Sequence, residues 1–277
     1  MSTIMMVRQP GGRVILIVEG EDDAHALRPH IDSNLLMYPG VGGRSSLVEA
    51  ATWVDKSNLV DVKFLIDSDL DIAVGGMGSV PRALVSTSNH DIFMDLILVA
   101  PSILDYVIET HARAHVRRGG KCVPSEVRKA AFDLAGKVAA LRVASAVRGW
   151  DLTFANFPFG ALSTSSADFE ELARLVIARS NEAVDVLVLV GEAEAFLDQW
   201  GSMDKLIGDH DLFAALALVL REGGVKVGAD GLLNSFMTSI RCSTVMRTTW
   251  FSSLSEWAEE QGKSAFACPS HDAVPAL

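Results

Sequence analysis

The chain is poor in cysteine, tyrosine and positive charge. It holds 3 cysteines and 2 tyrosines, and 24 lysines and arginines stand against 35 aspartates and glutamates, for a formal net charge of -11 over 277 residues. Cys122, Cys242 and Cys268 are far apart, odd in number, and form no C-x-x-C pair. Neither a disulfide framework nor a thiolate zinc site is expected from them, only buried or incidental thiols in a reducing compartment. The acid excess argues against a protein that coats nucleic acid through a broad basic surface. It leaves room for an enzyme that meets phosphates through bound cations. Long apolar runs are also missing, although 49% of residues are hydrophobic and the mean hydropathy is +0.27. The most apolar stretch, "DIFMDLILVAPSILDYVI", is broken by Asp and Pro short of the roughly 20 residues a spanning helix needs. The start, "MSTIMMVRQPGGR", has no apolar core of signal-peptide length. A soluble, cytoplasmic protein with no membrane partner is expected. There is no internal repeat, no low-complexity segment, and no G-x-x-x-x-G-K-[ST] loop for ATP.

What is present first is alternation. Val14 to Val18 reads as a strand, "DDAHALRPHID" as a helix, "NLLMYPG" as a second strand, and "GVGGRSSLVEAATWVDKSN" as a glycine turn opening a helix. "VDVKFLI" is a third strand, and "ALVSTSNHD" contains a fourth. This order predicts an α/β fold with a mostly parallel sheet flanked by helices. From about residue 92 the pattern turns helical. One or two helices are divided near Pro101, a long one starts at Pro124, "WDLTFANF" is a short strand or loop, and further amphipathic segments run to "SLSEWAEEQG". The expected division is an α/β domain over 13–98 and a largely helical C-terminal region over 99–277.

Two acidic bursts fall at strand ends. "VILIV" runs into Glu19, Gly20, Glu21, Asp22 and Asp23, and "VKFLI" runs into Asp67, Ser68, Asp69, Leu70 and Asp71. An acidic first helical turn is ordinary, because carboxylates favour the positive end of the helix dipole. That accounts for Glu21 and Asp22. It accounts less well for Glu19, which precedes the glycine. On an extended backbone, residues i and i+2 share a face, so Asp67 and Asp69 would project together. Carboxylates this close repel one another unless solvated or neutralised by a divalent cation. Oxygen ligands without His or Cys favour Mg2+, Mn2+ or Ca2+ over zinc. In parallel sheets, sites form beyond the carboxyl ends of the strands, where both bursts lie.

"LIVEGEDD" followed by "FLIDSDLD" resembles the Toprim fold, with its strand ending in Glu-Gly and a later strand ending in Asp-x-Asp. The finer pattern ("VEGEDD", "GGRSSLVEA", "IDSDLD", "NHDIFMDLIL") is similar to a Toprim branch related to the OLD-type nucleases, a family of unknown function whose members sit in phage-defence operons beside OLD-type or ABC-type ATPases. The resemblance covers roughly residues 13 to 105. It implies a Mg2+- or Mn2+-dependent endonuclease acting on a DNA or RNA substrate as the effector of an antiviral defence system. An ATPase partner is implied, and a homodimer is a further expectation. It also implies site roles. Glu19, Asp67 and Asp69 would be catalytic and, with Asp71, would hold the metal. Asp23 and Asp95 would be accessory acids, and Arg44 would meet a phosphate. Asp95 stands where the family usually has Glu, and Arg44 where it tends to have Lys. A late Gly-His-Asp element of the family is replaced here by "VGADGLL", residues 227 to 233, without the histidine.

Other features carry less. "HARAHVRRGGK", residues 111 to 121, with Arg128 and Lys129 beyond it, is a local basic patch or a solvated helix end. His111 and His115 have metal-binding spacing but lack the Glu of H-E-x-x-H. Neither Tyr38 nor Tyr106 lies in a strand-cleavage module of the topoisomerase kind. Two alternatives remain: a non-catalytic Toprim-like regulatory or binding subunit, and a haloacid-dehalogenase-type phosphatase. The latter usually carries Asp-x-Asp on its first strand followed by Thr, whereas "DSDLDIA" follows a later strand.

Overall fold

The computed structural model describes residues 8, 11–76, 80–164 and 167–268. The chain divides into two compact units. The first comprises Met1–Ser68, Met77–Val99 and Ile240–Leu277, and the second comprises Asp69–Gly76 and Ala100–Ser239.

The first unit is built on four parallel strands, β1 (Val14–Val18), β2 (Leu35–Pro39), β3 (Val62–Ile66) and β4 (Leu84–Ser86), in the order β2-β1-β3-β4. Val18 lies opposite Pro39 on one side and Leu65 on the other. β1 is buried along its whole length, as befits an interior parallel strand covered on both faces. Between β1 and β2 runs α1 (Glu21–Leu27), continued by a 3-10 turn, Arg28–His30. The helix gives way at Pro29, which has no N–H to continue the ladder. Between β2 and β3 runs α2 (Gly43–Lys56). Its Leu47, Ala51 and Val54 recur at helical spacing and pack on Ile15, Ile17, Phe64 and Ile66, the residues that alternate onto that face of the sheet.

β3 is followed by α3 (Asp71–Val74), which groups with the second unit. The chain then re-enters the first unit through β4 and α4 (Ile92–Val99). The second unit continues with α5 (Pro101–Arg117), α6 (Pro124–Arg148), α7 (Phe169–Arg179), α8 (Val186–Trp200), α9 (Asp209–Glu222) and α10 (Ala229–Ser239). α6 is the central helix. Alanines at 131, 135, 139, 140 and 144 are buried around much of its circumference, and these short side chains let α3, α5, α7, α8 and α9 approach it. An Arg142–Asp211 ion pair links α6 to α9, and the Arg142 guanidinium lies 5.6 Å from the Phe154 ring centre.

The chain returns to the first unit with α11 (Cys242–Val245) and α12 (Thr249–Glu260). Trp257 of α12 donates its indole N–H to Val60 O at 2.7 Å, and Trp250 is fully buried. Beyond α12, Ile31 and Phe266 form an antiparallel bridge, flanked by Asp32 N–H to Ala265 O at 3.0 Å and Ala267 N–H to His30 O at 2.8 Å.

The α/β class and all four expected strands are present, and Pro101 divides α4 from α5. "WDLTFANF" forms neither strand nor helix. The chain passes to the second unit after Val99, while Ile240–Leu277 groups with the sheet and Asp69–Gly76 with the helices. The reading of the cysteines requires correction: Cys242 and Cys268 are disulfide-bonded. The backbone pairing around Ile31 and Phe266 carries Cys268 back to α11, a meeting that sequence spacing does not reveal. Cys122 is free.

The turn into α2 depends on backbone conformation. Gly42 and Gly43 have φ of +90° and +71°, and a Cβ on Gly42 would sit 2.7 Å from Ser46 Oγ. Gly42→Ala is expected to destabilise the protein by about 1–2 kcal/mol, measured by urea unfolding. An unchanged midpoint would contradict this account of the turn.

Candidate functional site

The strand order has one reversal. From β1 the chain steps outward to β2, then crosses back to β3 on the other side of β1. The crevice beyond the carboxyl ends of β1 and β3 is the switch point, where open parallel sheets bind ligands. Glu19 directly follows β1 and Asp67 directly follows β3. The two are joined: Asp67 N–H donates to Glu19 Oε2 at 3.1 Å. Both residues are half-buried.

Asp23 lies behind Glu19 on the first turn of α1. Its Oδ2 accepts the Gly20 N–H at 2.9 Å, serving the helix end where Gly20 has no side chain to do so. The residue is only 8% exposed. Burial pushes its carboxyl up to about 7, with the negative charges of Asp91, Glu19 and Asp22 adding to the rise and the Gly20 hydrogen bond opposing it. Asp23, Asp91 and Glu19 therefore share one field of like charge, and no lysine or arginine is among the groups that shift Asp23.

Asp91 was not among the sequence candidates. It is buried, and its Oδ1 accepts the Met94 N–H at 2.7 Å at the start of α4. His90 Nδ1 stands 3.3 Å from Asp91 Oδ2, outside hydrogen-bonding geometry. A signal did exist in the sequence: an Asp immediately before an apolar helical run, "DIFMDLIL", marks a helix start. It reads as a cap and gives no hint that the same carboxylate acts on the charge of Asp23.

Asp95 was expected as an accessory acid and has a clear structural use. Its carboxylate accepts Ser88 N–H at 3.0 Å, Asn89 N–H at 2.9 Å and Asn89 Nδ2 at 2.5 Å. Burial raises its pKa, with those hydrogen bonds opposing the rise. A polar ladder continues from there. Thr87 Oγ1 donates to Asn89 O at 2.7 Å and accepts Ser68 N–H at 2.9 Å, while Ser68 Oγ bonds to Thr87 O. This ladder fixes the loop after β4 against the loop after β3. Asp95 thus holds the frame around Asp67.

Arg44 reaches the same loop, with Nη1 donating to Ser68 O at 3.3 Å. The extended backbone assumed for Asp67 and Asp69 ends at Ile66. Asp69 is left-handed, with φ of +47°, a conformation that Asp tolerates better than most residues, so face-sharing at i and i+2 does not carry over to it. Asp71 begins α3, and its carbonyl accepts the Gly75 and Gly76 amides at 3.1 and 2.7 Å. Both residues group with the second unit.

The basic patch is partly neutralised within the second unit. Arg128 pairs with Asp105 at 2.8 Å and Lys129 with Asp133 at 2.5 Å, while Arg113, Arg117, Arg118 and Lys121 are exposed. His111 Nε2 is 2.9 Å from Ser235 Oγ. The His115 ring is packed so closely that a Cβ would come within 1.9 Å of it at Gly120 and 2.8 Å at Gly224. Among the described residues neither histidine belongs to a metal-ligating cluster.

Two outcomes follow. Asp95→Ala leaves the amides of Ser88 and Asn89 without their acceptor and is expected to lower stability by about 1–3 kcal/mol in urea unfolding. A change near zero would remove Asp95 from the frame. Asp23 has a native pKa of about 7 against an ordinary 3.8, so the native state binds protons more tightly than the unfolded state. Stability from this group is then full below about pH 4 and lost as pH rises through about 7. With chelator present, Asp23→Asn should flatten that decline by a few kcal/mol. Parallel curves for variant and wild type would contradict the crowding of charge described above. No known family model matches the chain, and no curated protein matches it.

Proposed function

We propose that the protein is a Mg2+- or Mn2+-dependent Toprim-like endonuclease that hydrolyses phosphodiester bonds in DNA or RNA. In that reading it is the effector of an antiviral defence system, working with an ATPase supplied by a partner. The observation that carries the proposal is the pairing of Glu19 and Asp67 across adjacent strands at the switch point, backed by the buried acids Asp23 and Asp91. Two acids at the ends of neighbouring parallel strands, one following Glu-Gly and the other opening Asp-x-Asp, match the resemblance residue for residue.

The residues suit a hard divalent cation. Glu19, Asp67, Asp23 and Asp91 offer carboxylate oxygens, the donors that Mg2+ and Mn2+ prefer. Burial raises the Asp23 pKa to about 7, and the negative charges of Asp91, Glu19 and Asp22 add to the rise, a repulsion that a cation would relieve. Glu19 and Asp67 are the proposed ligands, with Asp69 and Asp71, two and four residues beyond Asp67, as the further acids the resemblance implies. A bound ion would neutralise charge on the phosphate and lower the pKa of a coordinated water. The chain's own groups do the positioning. The Asp67 amide fixes the Glu19 carboxylate, and the Ser68–Thr87–Asn89–Asp95 ladder keeps the β3 loop in register. Arg44, anchored on Ser68 O, brings a cation to the strand ends where a phosphate would arrive.

The direct test is an assay with supercoiled DNA and bulk RNA, with and without Mn2+, and with the partner ATPase where one is identified. Cleavage is expected only with the metal, and Glu19→Ala should lower it at least about a hundredfold. Full activity in Glu19→Ala would overturn the assignment. Metal binding without cleavage would favour the non-catalytic regulatory reading, and hydrolysis of p-nitrophenyl phosphate in place of polynucleotide would favour the phosphatase.

A further inference from the structure

A second cluster of ligating groups lies in the first unit and has no part in the proposed chemistry. His30, Cys242 and Cys268 come from three distant segments: the turn after α1, the start of α11, and the strand-like tail after α12. Their ligand atoms all fall within 4.8 Å of one another. His30 and Cys268 are buried and Cys242 is half-buried. The backbone holds them there independently of the sulfur bond, through the Ile31–Phe266 bridge and the amide of Ala267 on His30 O.

The imidazole points at the sulfurs. His30 Nδ1 is 3.7 Å from Cys242 Sγ and 3.9 Å from Cys268 Sγ. A disulfide needs no third polar group beside it. A tetrahedral zinc ion does, since it takes sulfur at about 2.3 Å and nitrogen at about 2.0–2.1 Å, which places nitrogen and sulfur about 3.6 Å apart along each edge. Both nitrogen–sulfur distances are already close to that edge.

We propose that His30, Cys242 and Cys268 form a zinc site when the protein is reduced, so that one corner of the first unit is closed either by a disulfide or by Zn2+. In the reducing step a dithiol delivers two electrons and two protons to the Cys242–Cys268 bond, becoming a disulfide itself and leaving two thiols. Zn2+ then binds the two sulfurs as thiolates with release of two protons, and accepts the His30 Nδ1 lone pair. The sulfurs separate to about 3.8 Å, the tetrahedral sulfur–sulfur edge. The part-exposed side of Cys242 leaves the fourth position to water. In both states the tail is fastened to the turn between α1 and β2. The cluster holds soft donors and the strand-end site hard oxygen donors, so the two should sort metals by type.

The test uses the full chain, reduced with a phosphine, loaded with Zn2+ and desalted. One zinc per chain is expected by mass spectrometry of the metal. Replacement with Co2+ should give thiolate-to-cobalt charge-transfer absorption and intense tetrahedral bands. His30→Ala, Cys242→Ser and Cys268→Ser should lose the retained metal and those bands, while Cys122→Ser keeps both. Because a ligand variant that unfolds would also lose metal, the decisive reading is on the wild type. Reduced protein with free thiols at both positions that retains no zinc and gives no tetrahedral cobalt spectrum overturns the proposal. So does metal retained equally by all three ligand variants. Neither outcome depends on nuclease activity, so the zinc site and the strand-end site stand or fall separately.

Discussion

The burial of a carboxylate, Asp23, beside other acids at the carboxyl end of a parallel sheet is the constraint that the strand-end groups share. Asp23 is buried and feels the negative charges of Asp91 and Glu19. Burial raises its pKa, and those charges add to the rise. Each acid is held in place by backbone amides: Glu19 by Asp67, Asp23 by Gly20, and Asp91 by Met94. These hydrogen bonds tie the acids to strand ends and helix starts. They offset part of the desolvation, but they bring in no positive charge.

The surrounding polar ladder has a different task. Ser68, Thr87, Asn89 and Asp95 are all buried and all bonded to one another or to the intervening backbone. They fix the relation of the β3 and β4 loops, so that the residue following Ile66 emerges in one position. Asp95 illustrates how a buried acid can serve through its neighbours. Its negative charge is taken up by three N–H donors from Ser88 and Asn89, and its value to the site is rigidity.

Much of this was legible in the sequence. Five apolar residues before Glu19 and the run "VKFLI" before Asp67 located β1 and β3, because interior parallel strands are buried on both faces and need no alternation. Pro101 and Pro124 marked helix starts, where a missing N–H does no harm. What could not be read was anything that depends on tertiary return. Asp91 looks like a cap because it is one, and only the fold brings its charge to Asp23. The left-handed turn at Asp69 breaks the period-2 reasoning that was sound as far as Ile66. The pairing of Cys242 with Cys268, and the grouping of Ile240–Leu277 with the sheet, rest on tertiary contacts such as the Ile31–Phe266 bridge and the Trp257–Val60 hydrogen bond, which join segments that share no local pattern.

The central claim is that the acids at the β1 and β3 ends bind a hard divalent cation. Titration calorimetry of Mn2+ into the metal-free protein near pH 7.5, beside Glu19→Gln and Asp67→Asn, tests it most directly. Saturable binding by the wild type, abolished or weakened at least about tenfold in both variants, is the expected result. It should be accompanied by proton release as the Asp23 carboxyl ionises beside the metal. Absence of binding by the wild type, or equal binding by all three proteins, would contradict the assignment of this site.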